Sequence, residues 1–248
     1  MLKFTLEGKT VLITGASSGI GRGVAIACAA AGARCILVAR NVERLGEVQA
    51  ACGGGSHAVE SVDVTDNAAI KSLVGRLPQL DGVVHCAGIG DNHLPLKFLT
   101  EEFVDKVLSV NLKAPMLFLA ALEKQKKLNR GASVVMISSI SSFYAVPAHT
   151  LYSATKGGLT AFVKAAAADL SGKRIRVNSI APGMINTPLT NYANITEEQK
   201  NADMAKYPLK RYGEPEDVAG CVVYLLSDVS SWVTGQQFVV DGGITIGN

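Results

Sequence analysis

At 248 residues with 48% apolar content, the chain can bury one large α/β core, and a net charge of +3 is far from the footprint of a dedicated nucleic-acid binder. No uncharged apolar run approaches the ~18 residues of a bilayer span, and the N-terminus carries no apolar leader core. Five cysteines without C-x-x-C spacing and four scattered histidines suit buried thiols in a reducing cytoplasm better than disulfides or a metal.

Short β-branched runs alternate with longer helical patterns along the whole chain. Strands are predicted at 10–14, 35–39, 57–62, 82–86, 133–138, 175–180 and 237–240. Helices are predicted at 19–31, 42–51, 66–77, 100–127, 151–170 and 215–226. Asn41 and Thr65 stand where caps belong, Glu101 and Glu102 fall in a first turn, and Pro215 suits a first helical position. The strands read as continuous apolar runs, as in a parallel sheet covered on both faces. The expected fold class is therefore α/β: a single-domain, Rossmann-type, doubly wound parallel sheet of about seven strands with helices on both faces. No linker, repeat or low-complexity tract divides residues 1–248. Ligands of such a sheet bind outside the carboxyl ends of its strands.

The first of those ends carries Thr14-Gly15-Ala16-Ser17-Ser18-Gly19-Ile20-Gly21, running from an apolar strand into an Ala-rich helix. Glycines there let backbone N–H groups and the positive helix end face a pyrophosphate. The spacing is G-x-x-x-G-x-G rather than G-x-G-x-x-G, and alone it could be only a turn. The second strand ends in Arg40, and no acid lies between Glu7 and Glu43. A carboxylate for a ribose 2′-hydroxyl is absent and a guanidinium for a 2′-phosphate is present, which favours NADP(H) over NAD(H). The plain alternative is a solvated surface cation.

Further on, Ser138-Ser139 ends the fifth strand, and Tyr152 and Lys156 follow on the next helix. Positions i and i+4 share a helix face about 6 Å apart along the axis, so phenol and amine can act together. A nearby ammonium favours the phenolate, and a serine hydroxyl can hold a substrate oxygen while the tyrosine exchanges its proton. Taken alone, Tyr-x-x-x-Lys is as well explained by chance on an amphipathic helix. The run 184–212 is polar, with few regular apolar positions, and is expected to be a mobile lid that excludes water.

Taken together, these motifs resemble the short-chain dehydrogenase/reductase family over nearly the whole chain. The resemblance rests on the 14–21 loop, Asp63-Val64, Ala87-Gly88, Val110-Asn111-Leu112, Ser139, Tyr152-Ser153-Ala154-Thr155-Lys156, Asn178 to Gly183 with Thr187, and Val239 to Gly243. It implies Tyr152 as general acid/base, Ser139 as the group orienting a carbonyl, Lys156 on the nicotinamide ribose and Asn111 holding a relay water. It also implies cofactor contacts at Gly15, Ala16, Ser17, Ser18, Gly19, Ile20, Gly21, Arg40, Asp63, Val64, Cys86, Ala87, Gly88, Tyr152, Lys156, Pro182, Gly183, Ile185 and Thr187. Asp63 would meet the adenine, while Ile185 and Thr187 would meet the carboxamide.

Where many family members read Asn-Asn-Ala-Gly, this chain has His85-Cys86-Ala87-Gly88. His85 is expected to replace some of the lost amide hydrogen bonds; a catalytic histidine is the less favoured reading.

Within the family, 182–219 and 234–246 are similar to 3-oxoacyl carrier-protein reductases of fatty-acid synthesis. That likeness implies a carrier-bound carbonyl substrate, an acidic acyl carrier protein docking at Arg130 and Lys173, and a homotetramer. The tetramer would be built on helices 100–127 and 151–170, and on the last helix with the last strand. Lys124-Gln125-Lys126-Lys127 could extend the docking patch or be a solvated helix end. The bulky Phe143-Tyr144-Ala145-Val146-Pro147 keeps a hydroxysteroid or other hydrophobic alcohol open as substrate. A nucleotide-sensing regulatory subunit is the non-enzymatic alternative.

Overall fold

Seven parallel strands build one sheet in the computed structural model, which describes residues 4–90, 93–190 and 196–246. They are β1 (Thr10–Thr14), β2 (Arg34–Ala39), β3 (Ala58–Ser61), β4 (Leu80–His85), β5 (Leu128–Ile137), β6 (Arg176–Pro182) and β7 (Gln237–Val240), arranged in the order β3-β2-β1-β4-β5-β6-β7. The strand order reverses between β1 and β4, which is where a doubly wound sheet opens a crevice for ligand.

Alternate strand residues feed two separate cores. Leu12, Ile36, Val38, Val83, Val134 and Met136 pack on one face against α3 (Asn67–Arg76), α5 (Ala114–Lys124) and α6 (Thr150–Leu170). Val11, Ile13, Leu37, Val84, Val135 and Ile180 pack on the other against α1 (Gly19–Ala30), α2 (Val42–Ala51) and α8 (Pro215–Leu226). Burial on both faces is why these strands read as unbroken apolar runs.

The helix predicted over 100–127 is two helices. Thr100 caps α4 (Glu101–Leu108), a π-turn spans Ser109–Lys113, and α5 follows. Pro115 has no N–H, so it denies the Asn111 carbonyl its helical partner four residues on. The tail of the predicted helix is instead a turn leading into β5 at Leu128. Asn41 caps α2 as expected, accepting from the Arg44 N–H at 2.8 Å. Thr65 does not cap α3. It donates its hydroxyl to Asp63 at 2.7 Å, and Asp66 takes the cap by accepting from Ala68 and Ala69.

The segment expected to be an irregular lid contains α7 (Glu197–Met204), begun by a capping box between Thr196 and Gln199. Its far end is tied down. Tyr212 donates to Asp203 at 2.8 Å, Lys206 bonds the same carboxylate at 2.9 Å, and Tyr207 packs edge-on against Tyr212. Residues 191–195 of that segment lie outside the described residues. No helix among the described residues is long and apolar enough to cross a membrane.

Candidate active site

A cleft of about 1180 Å³ runs along the carboxyl ends of β1, β2 and β4. One wall is Gly15, Ser17, Ser18, Gly19, Ile20 and Gly21. Ser18 makes no side-chain cap bond to α1, and α1 has no acid in its first turn, so its leading N–H groups face the cleft as an anion site. Gly15 has φ +65°, and a Cβ there would stand 2.7 Å from the Ala87 nitrogen. Thr14 reinforces the same junction by accepting from the Ala87 N–H at 3.3 Å. The first glycine thus does more than turn the chain: it lets the β1 and β4 ends close on each other. These features fit a dinucleotide, with backbone donors at its pyrophosphate.

At the β2 end of the cleft stand Arg40, Asp63, Val64 and, unforeseen from the sequence, Arg44. Arg40 lies 3.8 Å from Asp63, both well exposed, so the pair itself contributes little. Asp63 is held below the usual carboxylate range chiefly by the Thr65 N–H, then by the Thr65 hydroxyl, with Arg40 a lesser cause. Arg44 was legible in principle as a second cation in the turn that Asn41 caps.

Cys86, Ala87, Gly88 and Ile89 line the floor, and Thr187 the far wall. Six of the residues predicted for cofactor do not line this cleft, Tyr152 and Lys156 among them. Ala16 is fully buried in the core behind the glycine turn, and Pro182 is buried in β6. Gly183 donates its N–H to Val240 at 3.0 Å, and Ile185 is buried with its carbonyl accepting from Thr190 at 2.8 Å.

Gly88 joins the cleft to the catalytic candidates. A Cβ on it would lie 3.4 Å from Asn111 Oδ1 and 3.7 Å from Lys156 Nζ. Lys156, 4% exposed, donates to the Ile137 carbonyl at 2.8 Å, and its Nζ stands 5.5 Å from the centre of the Tyr152 ring. Burial pulls its pKa down to about 8, opposed by the Cys86 thiol beside it. The side chain of Asn111 is committed to both backbone groups of Ile89 at 2.8 Å each, and it reaches Thr155 at 3.4 Å. The Asn111 amide is therefore occupied, while Pro115 has no N–H to offer its carbonyl.

The two serines at the end of β5 part company. Ser138 is buried and hydrogen-bonds the Lys156 carbonyl and Thr160, which makes it a strut of α6. Ser139 is only half-buried, with its hydroxyl engaged by Ser141.

His85 does not replace an amide. Its Nε2 is buried without a hydrogen-bond partner, its ring stands edge-on to Phe118 at 5.4 Å, and burial pushes its pKa down to about 4. It fills the core beneath the cleft and is not among the residues lining it. The five cysteines are free, and burial raises Cys35 and Cys86 to about 12, so neither is a thiolate at neutral pH.

The docking patch is thinner than its sequence. Lys127 folds back to donate to the Gly75 and Leu77 carbonyls at the end of α3, and Gln125 donates to the Lys71 carbonyl. Lys173 is ion-paired with Glu123. Lys124, Lys126 and Arg130 remain exposed beside it.

A parallel sheet reversing at a Gly-lined crevice, with a buried lysine behind a tyrosine at its edge, defines a dinucleotide-dependent oxidoreductase. A family model described as "Enoyl-(Acyl carrier protein) reductase" (adh_short_C2) matches residues 15–245. The chain is 36% identical to a 3-oxoacyl-[acyl-carrier-protein] reductase of Thermotoga maritima, over 97% of this chain and 99% of that one. It is 36% identical to a protein of the same description from Rickettsia felis, over 96% and 98%. Among solved structures, a short-chain type dehydrogenase/reductase from Mycobacterium ulcerans superposes with TM-score 0.89 at 34% identity, covering 97% of this chain and 90% of that one. A dehydrogenase/reductase from Sinorhizobium meliloti gives 0.88 at 32%, covering 98% and 97%. The chain belongs to the short-chain dehydrogenase/reductase family.

Proposed function

We propose that the protein reduces the ketone of a 3-oxoacyl thioester, with NADP(H) as cofactor and Tyr152 as proton donor. The observation that carries this reading is the Lys156–Tyr152 arrangement against the Gly88 wall of the cleft. When bound, the nicotinamide supplies the reducing equivalent at the carbonyl carbon. The protein's own part is the oxygen. Tyr152 gives its phenolic proton to it, Ser139 turns from Ser141 to hold it, and Lys156 offsets the charge left on the phenol. A water on the Asn111 carbonyl returns the proton. Arg40 and Arg44 at the adenosine end support a 2′-phosphate, and the α1 N-terminus supports the pyrophosphate.

A carrier-bound substrate is supported by the description of the Thermotoga relative and by exposed Lys124, Lys126 and Arg130, steering an acidic partner. Exposed Val239 on the edge strand β7 supports a homotetramer closing over that edge, and Trp232 at 98% exposure adds an uncovered apolar side chain. A second substrate reading, a hydroxysteroid or other hydrophobic alcohol, is favoured by Phe143 and Val146, which stay exposed between Ser139 and Tyr152.

The test is NADPH oxidation by purified protein with a 3-oxoacyl thioester, an enoyl thioester and a hydroxysteroid/ketosteroid pair side by side. Tyr152→Phe is expected to lower turnover by about 10²–10⁴-fold while NADPH still binds. Full activity in that variant overturns the proton donor; preference for the enoyl or steroid substrate overturns the substrate.

A further inference from the structure

One side chain of the edge strand β7 reaches the turn after Ser139 and the turn of α6 after Lys156, and the chemistry above does not use it. Phe238 packs against Tyr224 of α8, so its neighbour Gln237 faces the opposite side of the sheet, toward α6. Gln237 Nε2 donates to Ser142 Oγ at 2.8 Å and to Thr160 Oγ1 at 3.3 Å. The Ser142 hydroxyl donates in turn to the Ser139 carbonyl at 2.7 Å, which also accepts the Ser142 N–H at 3.0 Å. The Thr160 hydroxyl donates to the Lys156 carbonyl at 3.0 Å, where Ser138 donates as well at 3.2 Å. A hydroxyl has one proton to give, and here each gives it to a main-chain carbonyl. Each therefore receives from Gln237, and the amide has to present its nitrogen. One NH2 group with two protons thus orients two hydroxyls, one below each catalytic candidate in the chain of hydrogen bonds.

We propose that Gln237 is a positioning residue for the reaction, holding the main chain of Ser139 in register with that of Lys156 through Ser142 and Thr160. This rests on the reading of Ser139, Tyr152 and Lys156 as the carbonyl-reducing group, and adds to it a residue from the edge of the sheet. Up to Ser138 the end of β5 is tied to α6 directly, by Lys156 Nζ on the Ile137 carbonyl at 2.8 Å and by Ser138 on the Lys156 carbonyl. Ser139 is the next residue, where the chain leaves the sheet for the single turn Ile140–Ser142. Gln237 ties the far end of that turn to the same helix. With its carbonyl held by Ser142, Ser139 exchanges Ser141 for a substrate oxygen by side-chain rotation alone. Without the amide, the Ser142 hydroxyl loses the donor that orients it and the turn can shift against α6. A small displacement at a reacting group lowers the rate, while a cofactor held mainly by distant backbone is unaffected. The requirement is also directional. A carboxylate in the same place can only accept, so both hydroxyls would turn away from their carbonyls.

The experiment measures kcat with a 3-oxoacyl thioester and a ketosteroid, the NADPH dissociation constant, and hydrogen exchange of the cofactor-free protein. The variants are Gln237→Met, Gln237→Glu, Ser142→Ala, Ser142→Thr and the double variant Gln237→Met/Ser142→Ala. Gln237→Met, of similar size but without donors, is expected to lower kcat about tenfold and leave NADPH binding unchanged. Gln237→Glu keeps both contacts and reverses their direction, so it is expected to show the same loss in a folded protein. Ser142→Ala is expected to match Gln237→Met, the double variant to lose little more than either, and Ser142→Thr, which keeps the hydroxyl, to retain most activity. Exchange is expected to quicken at the Ser142, Phe143 and Tyr144 amides, which donate within this turn, and to stay unchanged in β1. Losses that multiply in the double variant, an NADPH affinity that falls with kcat, or full activity in Gln237→Glu overturn the proposal. So does exchange in the turn that ignores Gln237. A wild-type protein that oxidises NADPH with neither carbonyl substrate overturns it together with the catalytic reading, before any variant is made.

Discussion

Around the dinucleotide cleft, most of what a ligand meets is main chain. The α1 N-terminus, the Gly15 turn and the 86–89 floor present backbone atoms, while Arg40, Arg44 and Asp63 reach in as charged side chains from the β2 end. Around Tyr152 the balance is reversed. Lys156, Asn111, Ser139, His93 and His149 come from separate elements, and each is fixed by a different neighbour. A backbone site tolerates side-chain change but not a displaced turn. A side-chain site loses one function with each residue and keeps its fold.

The sharpest test of that contrast is Lys156→Met. Activity is expected to fall by about 10²–10⁴-fold, because the group acts at the reacting phenol. The fold is expected to survive, because a buried ammonium is itself costly. The pH dependence carries a definite sign. Burial holds the Lys156 pKa at about 8 in the fold, against 10.5 for an exposed lysine. Between those values the unfolded chain binds more protons, so wild-type stability rises with pH relative to the variant. Urea unfolding of both proteins at pH 7 and pH 10 measures this; a difference that does not grow with pH means that Lys156 is not desolvated as the structure shows.

Next in size is the choice of cofactor at the one end of the backbone site that uses side chains. Arg40→Asp is expected to weaken NADPH by about 10–100-fold and NADH much less, the worth of a charge-assisted bond to phosphate. Arg44→Ala is expected to act in the same direction and less strongly. Dissociation constants for both cofactors check this, and equal losses would remove the 2′-phosphate from that end of the cleft.

The backbone half itself is probed by Gly15→Ala. The new Cβ meets the Ala87 nitrogen at 2.7 Å on a residue with φ +65°. A destabilisation of about 2 kcal/mol is expected. In a chain of this size that lowers Tm by roughly 4–8 °C. NADPH affinity falls with it, since β1 and β4 can no longer close. The variant should lose cofactor and stability together, unlike any change at Tyr152 or Lys156.

The two halves also differed in how far they could be read in advance. Strand 10–14 was legible because burial on both faces leaves an uninterrupted apolar run, and helices 42–51 and 215–226 because caps mark their starts. The glycine turn and Arg40 were legible because their chemistry is local. The break inside 100–127 was signalled by Pro115, but its apolar periodicity continues across the π-turn and hides it. Helix α7 was marked only by Thr196-x-x-Gln199, a pattern carrying no hydrophobic period. The meeting of His93 with His149 had no sequence signal, since only the adjacency of β4 and β5 brings their loops together.

The smallest effect expected is at His85, which the sequence placed among hydrogen-bonding residues and the structure places among apolar ones. Its ring packs on Phe118 with Nε2 unpartnered, bordering a void of about 10 Å³ lined by Thr14, Ala87 and Val110. His85→Asn removes ring volume from this contact and is expected to cost about 1 kcal/mol at pH 7. Acid reverses the comparison. The folded pKa of about 4 lies below the 6.5 of an exposed histidine, so the unfolded wild type takes up a proton that the fold refuses. Wild-type stability is therefore fully present above 6.5 and is lost as pH falls from 6.5 toward 4, a loss the asparagine variant does not share. Carboxylates titrate equally in both proteins and cancel in the difference. Unfolding curves at pH 7, 5.5 and 4.5 should first close the gap between the two stabilities and then invert it. A constant offset across that range would mean that His85 carries its charge inside the fold, and the floor of the cleft would then be polar rather than a sealed extension of the core.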